Sequence, residues 1–199
     1  LALLCTVSFA ISPVALGSIV SVSDRARMLG DPSAQITLND AGHVIRALGD
    51  FGVVTEDPQS VADFITERWS TLGHTNYANL QVVDDQWDKD GNRHVRMTRT
   101  ALGLPVEFDQ IRVHLSPKNQ VQLIELNLSD LTGFEHTGIP VDPWTAQSLA
   151  LGGIERELSE PMQTHLVVVG SSLNPGPARM AYRVHVHYER DNQEPYNRH

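Results

Sequence analysis

The hydrophobic positions of this chain first repeat with a helical period and then alternate, and this change predicts the order of the elements. Asp57-Pro58 marks the start of the helical part, because Asp can accept hydrogen bonds from the first free amides and Pro needs no N–H in the first turn. The apolar positions then recur three and four residues apart until Gly73: Val61, Phe64, Ile65, Trp69 and Leu72. Burial of five such side chains would contribute roughly 7–15 kcal/mol, at about 1.5–3 kcal/mol each. We therefore predict a helix that packs on another layer of the protein.

The segment after this helix alternates apolar and polar residues, which predicts a meander of antiparallel strands. Turn sequences at Asp88-Lys89-Asp90-Gly91 and Pro117-Lys118-Asn119 separate extended runs. One apolar and one polar face per strand is typical of an antiparallel sheet that is covered on one side. The apolar members of the last two runs are Ile111, Val113, Leu115, Ile124, Leu126 and Leu128.

The same order of elements then recurs. Asp142-Pro143 predicts a second helix, with apolar positions at Ala146, Leu149, Ala150, Ile154 and Leu158. Strands are predicted at 164–170 and 178–189, on either side of a turn at Asn174-Pro175-Gly176-Pro177. In the last strand one face carries Met180, Tyr182, Val184, Val186 and Tyr188, and the other carries Arg183, His185, His187 and Glu189. The predicted fold class is α+β, with two successive helix-plus-antiparallel-sheet units.

The part before Asp57 is predicted in two pieces. Residues 1–17 are apolar and end in Ala15-Leu16-Gly17, with small residues at the −3 and −1 positions of a possible cleavage site, so we interpret them as part of a secretory signal peptide. The alternative is a buried N-terminal strand or helix. Within 18–56, the polar stretch 23–35 is predicted to be irregular, and a turn at Asn39-Asp40-Ala41-Gly42 predicts a β-hairpin. A helix through residues 41–48 is the competing interpretation.

Composition narrows the possible partners but assigns no chemistry. The net charge of −9 disfavours nucleic acid and anionic membrane surfaces. Cys5 is the only cysteine and would leave with the signal peptide, so the exported protein would hold no disulfide and no cysteine-based zinc site. The expected localisation is secreted, either extracellular or periplasmic.

Catalytic motifs are absent from the sequence. It contains neither the His-Glu-x-x-His of a zinc peptidase helix nor a Gly-x-Ser-x-Gly elbow, and Pro-Gly-Pro follows Ser171-Ser172, where an elbow needs a helix. His185-x-His187 would place two rings on one face of a strand, which could bind a metal but is more typical of a polar outer face. The paired acids Asp84-Asp85 are interpreted as solvated, and the remaining histidines are scattered without ligand spacing. We assign no catalytic, cofactor-binding or metal-binding residue.

A set of short sequences gives this chain a family resemblance. His94-Val95-Arg96, Gly103-Leu104-Pro105-Val106 and Val113-His114-Leu115 follow the predicted helix in this order. Residues 57–131 thereby resemble the fungalysin/thermolysin propeptide domain, which occurs in precursors of secreted zinc metallopeptidases. Residues 132–199 resemble a PepSY-like domain, expected to be truncated at its C-terminus, and the implied folds are cystatin-like and PepSY-like. The chain departs from the family at Ala101, where an aromatic residue is usual, and at Phe108-Asp109, where a Gly is common.

The resemblance implies that this chain is the N-terminal prosegment of a secreted zinc metalloendopeptidase, acting in cis as chaperone and inhibitor of a catalytic domain that is missing here. Zinc, with calcium as a further candidate, would belong to that missing domain. The alternatives are a free-standing secreted inhibitor or chaperone module and an independent metal hydrolase that uses His185 and His187. Gly103 is expected to supply a turn conformation that other residues resist, and Pro105 to withhold an edge N–H.

Overall fold

The fold combines helices with one large sheet. A computed structural model describes residues 20–74, 79–131, 134, 141–152, 160–170 and 178–187. These residues contain three helices: α1 Val22–Leu29, α2 Pro58–Glu67 and α3 Pro143–Leu151. They also contain nine strands: β1 Gln35–Leu38, β2 Val44–Leu48, β3 Asn79–Trp87, β4 Arg93–Ala101, β5 Leu104–Glu107, β6 Gln110–Leu115, β7 Val121–Asn127, β8 Gln163–Val169 and β9 Arg179–His185. The predicted α+β class is confirmed.

The strands pair in the order β1-β2-β7-β6-β4-β5-β8-β9, and β3 pairs with the other side of β4. The pairings are antiparallel except for β5 with β8, where Val106 and Glu107 lie opposite Val168 and Val169. This parallel pairing joins the strands predicted for the two units into one sheet. The division of the chain into two units stays a prediction.

Helix α2 and the strands under it form the main core. Asp57 caps α2 by accepting from the Gln59 amide at 3.0 Å, and the five predicted apolar positions are all buried. They pack against the inward residues of the meander, among them Val95, Val113 and Ile124. The predicted helix and its face are confirmed, although α2 ends at Glu67 and turns continue the chain to Gly73, whose φ is 95°.

The stretch that was predicted to be irregular contains helix α1, so that prediction was wrong. The Ser21 hydroxyl accepts from the Asp24 amide at 3.1 Å at the start of the helix. At the other end Gly30 adopts φ 110°, and the amide that follows it bonds to the Ala26 carbonyl. Ala26 and Leu29 are buried, and Arg25 donates to the Thr71 carbonyl at 2.7 Å. This polar helix is stabilised by its caps and by few buried side chains. Its sequence therefore shows no clear helical pattern of apolar residues.

The predicted hairpin after α1 is confirmed as β1 and β2, and the alternative of a helix through residues 41–48 was wrong. The Asn39 side chain accepts from the amides of Ala41 and His43, which closes the turn. The Val44 amide donates to the Leu72 carbonyl and ties this hairpin to the end of the α2 region.

Strand β5 pairs with β4 at Leu104 and Pro105 and with β8 at Val106 and Glu107, so it is not an edge strand, although the pairing with β8 begins one residue after Pro105. Leu102 and Gly103 form the turn into it with φ values of 52° and 78°, which confirms the special conformation predicted for Gly103. Phe108, where the resembling family commonly has a Gly, keeps a left-handed φ of 65°. The chain therefore retains the backbone bend without the glycine.

The second predicted helix is present as α3, but its predicted apolar face was wrong in part. Leu149 is 68% exposed and no residue of α3 is buried; Ile154 and Leu158 lie outside the described residues. The predicted strands are confirmed as β8 and β9, although β9 ends at His185, four residues before its predicted end; Met180 is buried, and Arg183 and His185 are exposed. Tyr188 and Glu189 lie outside the described residues.

Gly170, at the end of β8, packs on the loop after β7. A Cβ atom at this position would overlap the side chain of Ser129. We expect Gly170→Ala to lower the free energy of unfolding by about 1–3 kcal/mol, because the two backbones must separate. Urea denaturation of the single variants and of Gly170→Ala with Ser129→Gly measures the coupling. Additive losses in the double variant would contradict this packing.

The predicted signal peptide and the turn at 174–177 lie outside the described residues. Among the helices that the structure does describe, none has the length and apolar character needed to cross a membrane.

Candidate functional site

The candidate site lies on the face of the sheet opposite the core, where β4 and β6 run side by side. Alternation along β4 directs Val95 and Met97 into the core, so His94 and Arg96 point outward. On β6 the same rule places Arg112 and His114 outward. Register aligns His94 with His114 and Arg96 with Arg112 as direct cross-strand partners. Four basic side chains therefore form a two-by-two cluster, an arrangement that needs compensating charge.

The two histidines of this cluster are in direct contact. Their Nδ1 atoms are 2.7 Å apart, and the rings meet edge to face with centroids 4.8 Å apart. This geometry requires one nitrogen to donate and the other to accept, so the pair holds one proton between its Nδ1 atoms. Burial lowers the pKa of His114, and the neighbouring His94 lowers it further.

A carboxylate lies at each end of the histidine pair. Asp88 Oδ2 is 3.2 Å from His94 Nε2, and Glu125 Oε2 is 3.6 Å from His114 Nε2. The Asn92 side-chain amide is the largest cause that lowers the pKa of Asp88, to about 2, so this carboxylate is charged at neutral pH. Glu125 is also 3.9 Å from Arg46 on β2. The result is a line of polar groups that crosses four strands.

Arginines flank the pair and line a concavity of about 220 Å³ beside it. Arg96 is 3.6 Å from Asp84 on β3. Arg112 is exposed, and its side chain has neither an ion pair nor a hydrogen bond within the described part of the chain. The polar lining of the concavity consists of Asp84, Gln86, His94, Arg96, Arg112 and His114.

The prediction that the histidines outside His185-x-His187 are scattered was wrong for all five of them that lie in the described residues. Their rings meet as the pairs His94 with His114, His43 with His74, and His165 with His185. Strand register brings two of these pairs together, and a single sequence does not show register. The outward alternation of His94 and His114 on predicted neighbouring strands was the available signal.

His185 and His187, the candidate metal ligands, are both exposed. In the described ranges, no group of three or more His, Cys, Asp or Glu side chains is arranged to hold a metal ion. Ser171 and Ser172 lie outside those ranges. The arrangement on the open sheet face can donate and accept hydrogen bonds and exchange a proton, which suits contact with a polar partner.

The paired acids Asp84-Asp85 are not the freely solvated pair that was expected. They are consecutive residues of β3, opposite Arg96 and Val95, so their side chains point to opposite faces of the sheet. Asp85 receives two hydrogen bonds of 2.8 Å from Arg93, whose side chain is fully buried. Hydrogen bonding to Asp85 is the largest cause of the raised pKa of Arg93.

A second buried ion pair holds the bend between β5 and β6. Arg99 Nε donates to Asp109 at 2.6 Å, and the Ser129 amide donates to the other carboxylate oxygen at 2.7 Å. Burial raises the pKa of Asp109, and Arg99 and the Ser129 amide oppose that effect. These two pairs fix the strands that carry the outward cluster.

His74, a buried histidine outside the outward cluster, is expected to make the stability of the fold depend on pH. It stacks on His43 and Trp69 at 4.7 Å, and burial, followed by His43, lowers its pKa to about 4. Because the unfolded pKa is about 6.5, the neutral ring stabilises the fold fully above that pH, and this stability is lost as pH falls from 6.5 toward 4. With allowance for partial exposure, the loss is about 2 kcal/mol.

Urea denaturation at pH 7.5 and pH 4.5 measures this loss. His74→Phe, which keeps an aromatic ring, is expected to show a smaller decrease between the two pH values, whereas His187→Gln, at an exposed position, keeps the full decrease. An unchanged pH dependence in His74→Phe would show that other groups cause it.

Comparison with known families identifies part of this structure. The described residues form an α+β protein with a polar, open sheet face. Residues 78–127 match the family model described as the Fungalysin/Thermolysin Propeptide Motif. The match covers about a quarter of the chain and runs from the residue before β3 to the end of β7, which is the meander that carries the cluster. No curated protein matches the chain.

The match confirms the predicted resemblance for this region: the motif is that of propeptides of fungalysin- and thermolysin-type peptidases. His94, the Gly103-Leu104-Pro105-Val106 turn and His114 all lie within it. The PepSY-like assignment of residues 132–199 stays a prediction.

Proposed function

We propose that this chain is the prosegment of a secreted zinc metallopeptidase, and that it assists the folding of the attached catalytic domain and holds it inactive. The observation that carries this proposal is the propeptide motif at residues 78–127, which spans the central strands of the sheet. Zinc, with calcium as a further candidate, would be held by the catalytic domain. Residues 132–199 would form the PepSY-like remainder of the prosegment.

The physical basis of this function is linkage between binding and folding. A prosegment that binds the native catalytic domain and not its unfolded chain stabilises the native domain by mass action. Covalent attachment raises the effective concentration of the prosegment to about the millimolar range, so even weak contacts are occupied until cleavage. The rigid core under the outward cluster suits this role, because a preorganised surface loses less entropy on binding.

The coding sequence that follows His199 provides the first test. We expect it to encode a helix with His-Glu-x-x-His, and its absence would rule out the function in cis. The peptidase encoded there is then the partner for the second test. The 199-residue chain, added in trans, is expected to inhibit that peptidase at micromolar concentration and to raise the yield of active enzyme after dilution from denaturant.

The alternatives give different results in the same assays. A free-standing inhibitor would block thermolysin-type enzymes although no peptidase follows in the coding sequence. An independent metal hydrolase would turn over a peptide substrate alone and would lose that activity in His185→Gln. If the chain neither inhibits the following peptidase nor improves its refolding, the proposed function is wrong.

A further inference from the structure

We propose that the concavity between β3, β4 and β6 binds a single carboxylate of a polypeptide partner, with Arg112 and the His94–His114 pair as its cationic groups. The site itself is argued from the described residues alone. The identity of the partner, an acidic side chain of the attached catalytic domain, rests on the proposed function.

Among the residues that the structure describes, the charges around the concavity leave one cation, Arg112, without a partner. Asp84 lies against Arg96 at 3.6 Å, and Asp88 lies against His94 at 3.2 Å. Glu125 is shared between Arg46, at 3.9 Å, and the His114 ring, at 3.6 Å. Each carboxylate near the pair is therefore engaged.

Arg112 is the group that remains. It lies directly opposite Arg96 on one side and Glu125 on the other, yet it makes no ion pair within the described residues. Two arginines directly opposite each other on neighbouring strands repel. An incoming carboxylate would remove that repulsion and could bind Arg112 through two parallel hydrogen bonds.

Protonation of the His94–His114 pair is expected to strengthen the binding of a carboxylate. With both rings neutral, one proton already lies between the two Nδ1 atoms. A further proton, taken up at an Nε2 atom, makes one ring an imidazolium close to Arg96 and Arg112, which is unfavourable without an anion. A bound carboxylate would offset that cost, so binding is expected to strengthen as pH falls from about 7.5 to about 5. Below about pH 4.3 the carboxylate itself is protonated and binding is lost. The charged groups that face the pair are Asp84 on β3, Asp88 in the following turn, Arg96 on β4, Arg112 on β6, Glu125 on β7 and Arg46 on β2.

The charge and position of the site favour a polypeptide carboxylate over a free polyanion. The guanidinium of Arg112, unpaired within the described residues, matches one negative charge, and the chain as a whole carries −9, which repels free polyanions. The concavity opens onto the outer face of the sheet, where strands on either side offer further contact area. A tethered carboxylate also needs little intrinsic affinity.

NMR of the histidine rings in the full chain provides the test. The probes are acetyl-Gly-Glu-Gly-amide, its glutamine counterpart and inorganic phosphate, each titrated at pH 6.0 and pH 7.5. The glutamate peptide is expected to shift the His94 and His114 signals in a saturable way, more tightly at pH 6.0, while the His43 and His74 signals stay unchanged. Arg112→Gln should raise the half-saturating concentration about fivefold, as removal of an exposed ion pair allows.

Arg27→Gln is the matched control, because Arg27 is an exposed arginine on α1, away from the concavity. Equal responses to the glutamate and glutamine peptides, or equal binding by wild type and Arg112→Gln, would overturn the site. Saturation by phosphate without saturation by the glutamate peptide would show a free-oxyanion site and would also overturn the proposal.

The inhibition assay separates this inference from the proposed function. If the chain inhibits the following peptidase and Arg112→Gln is equally potent, the assignment of this contact is wrong and the function stands. If the glutamate peptide binds but the chain neither inhibits nor assists refolding, the carboxylate site stands and the catalytic domain is not its partner.

Discussion

Asp109→Ala is expected to lower the free energy of unfolding by about 3–5 kcal/mol, because it leaves the buried Arg99 without its counter-charge. Asp109 is 6% exposed and Arg99 is 4% exposed, so water cannot replace the lost carboxylate. The Ser129 amide, which donates to Asp109 at 2.7 Å, would lose its acceptor in the same variant. Urea denaturation monitored by circular dichroism measures the change.

Asp84→Ala is the matched control for this variant. Asp84 also pairs with an arginine, at 3.6 Å, but both side chains are partly exposed, so its loss should cost below about 1 kcal/mol. Similar losses in the two variants would contradict the burial argument. The double replacement of Arg99 by Met and Asp109 by Leu should recover part of the loss, since it removes both charges together.

The position of Asp109 explains why its ion pair with Arg99 could not be predicted from the sequence. It stands beside Phe108, where the backbone turns left-handed and β5 gives way to β6. The sequence shows an acidic residue near a turn, which is ordinarily solvated. Only the register that sets Arg99 across from the bend reveals a partner.

The parts of the fold that could be predicted depend on local pattern. Helix α2 was predictable because its cap and the five apolar positions of the helix and the turns after it lie within sixteen residues. The strands of the meander were predictable because alternation and turn residues recur over short distances. Helix α1 was missed because only three of its eight residues are buried, one of them Arg25. The parallel contact of β5 with β8 was missed because some sixty residues separate the paired positions Val106 and Val168.

The candidate site could be predicted only as a set of outward residues. Alternation on β4 and β6 placed His94 and His114 on a polar face, but nothing local fixes which residue of one strand lies opposite which residue of the other. The histidine contact, and the position of Arg112 opposite Arg96, follow from that register. Whether α3 is buried also depends on contacts with elements that are distant in the sequence. The apolar residues of α3 were predicted to face a core, but Leu149 is exposed.

Arg93→Met is expected to lower the free energy of unfolding by about 3 kcal/mol or more, because one fully buried guanidinium donates to four separate groups, one of which is Asn119 Oδ1 at 3.4 Å. It donates twice to Asp85 at 2.8 Å, and it donates to the carbonyls of Thr55 and Glu56 at 3.1 and 2.8 Å. Those carbonyls lie just before α2, so the side chain ties the β3–β4 hairpin to the start of the helix. Methionine fills similar space but offers no donor.

Two further variants show whether geometry or charge carries this effect. Arg93→Lys keeps the charge, but its ammonium cannot reproduce the fork-shaped set of bonds, so it should recover only part of the loss. Arg96→Met, three residues along the same strand and on the outer face, should cost below about 1 kcal/mol. Hydrogen exchange should also rise in the first turn of α2 in Arg93→Met and not in Arg96→Met. If the first turn of α2 keeps its protection in Arg93→Met, the Arg93 side chain does not couple the β3–β4 hairpin to the helix. The outward residues of β4 would then be held in place by the strand pairing alone.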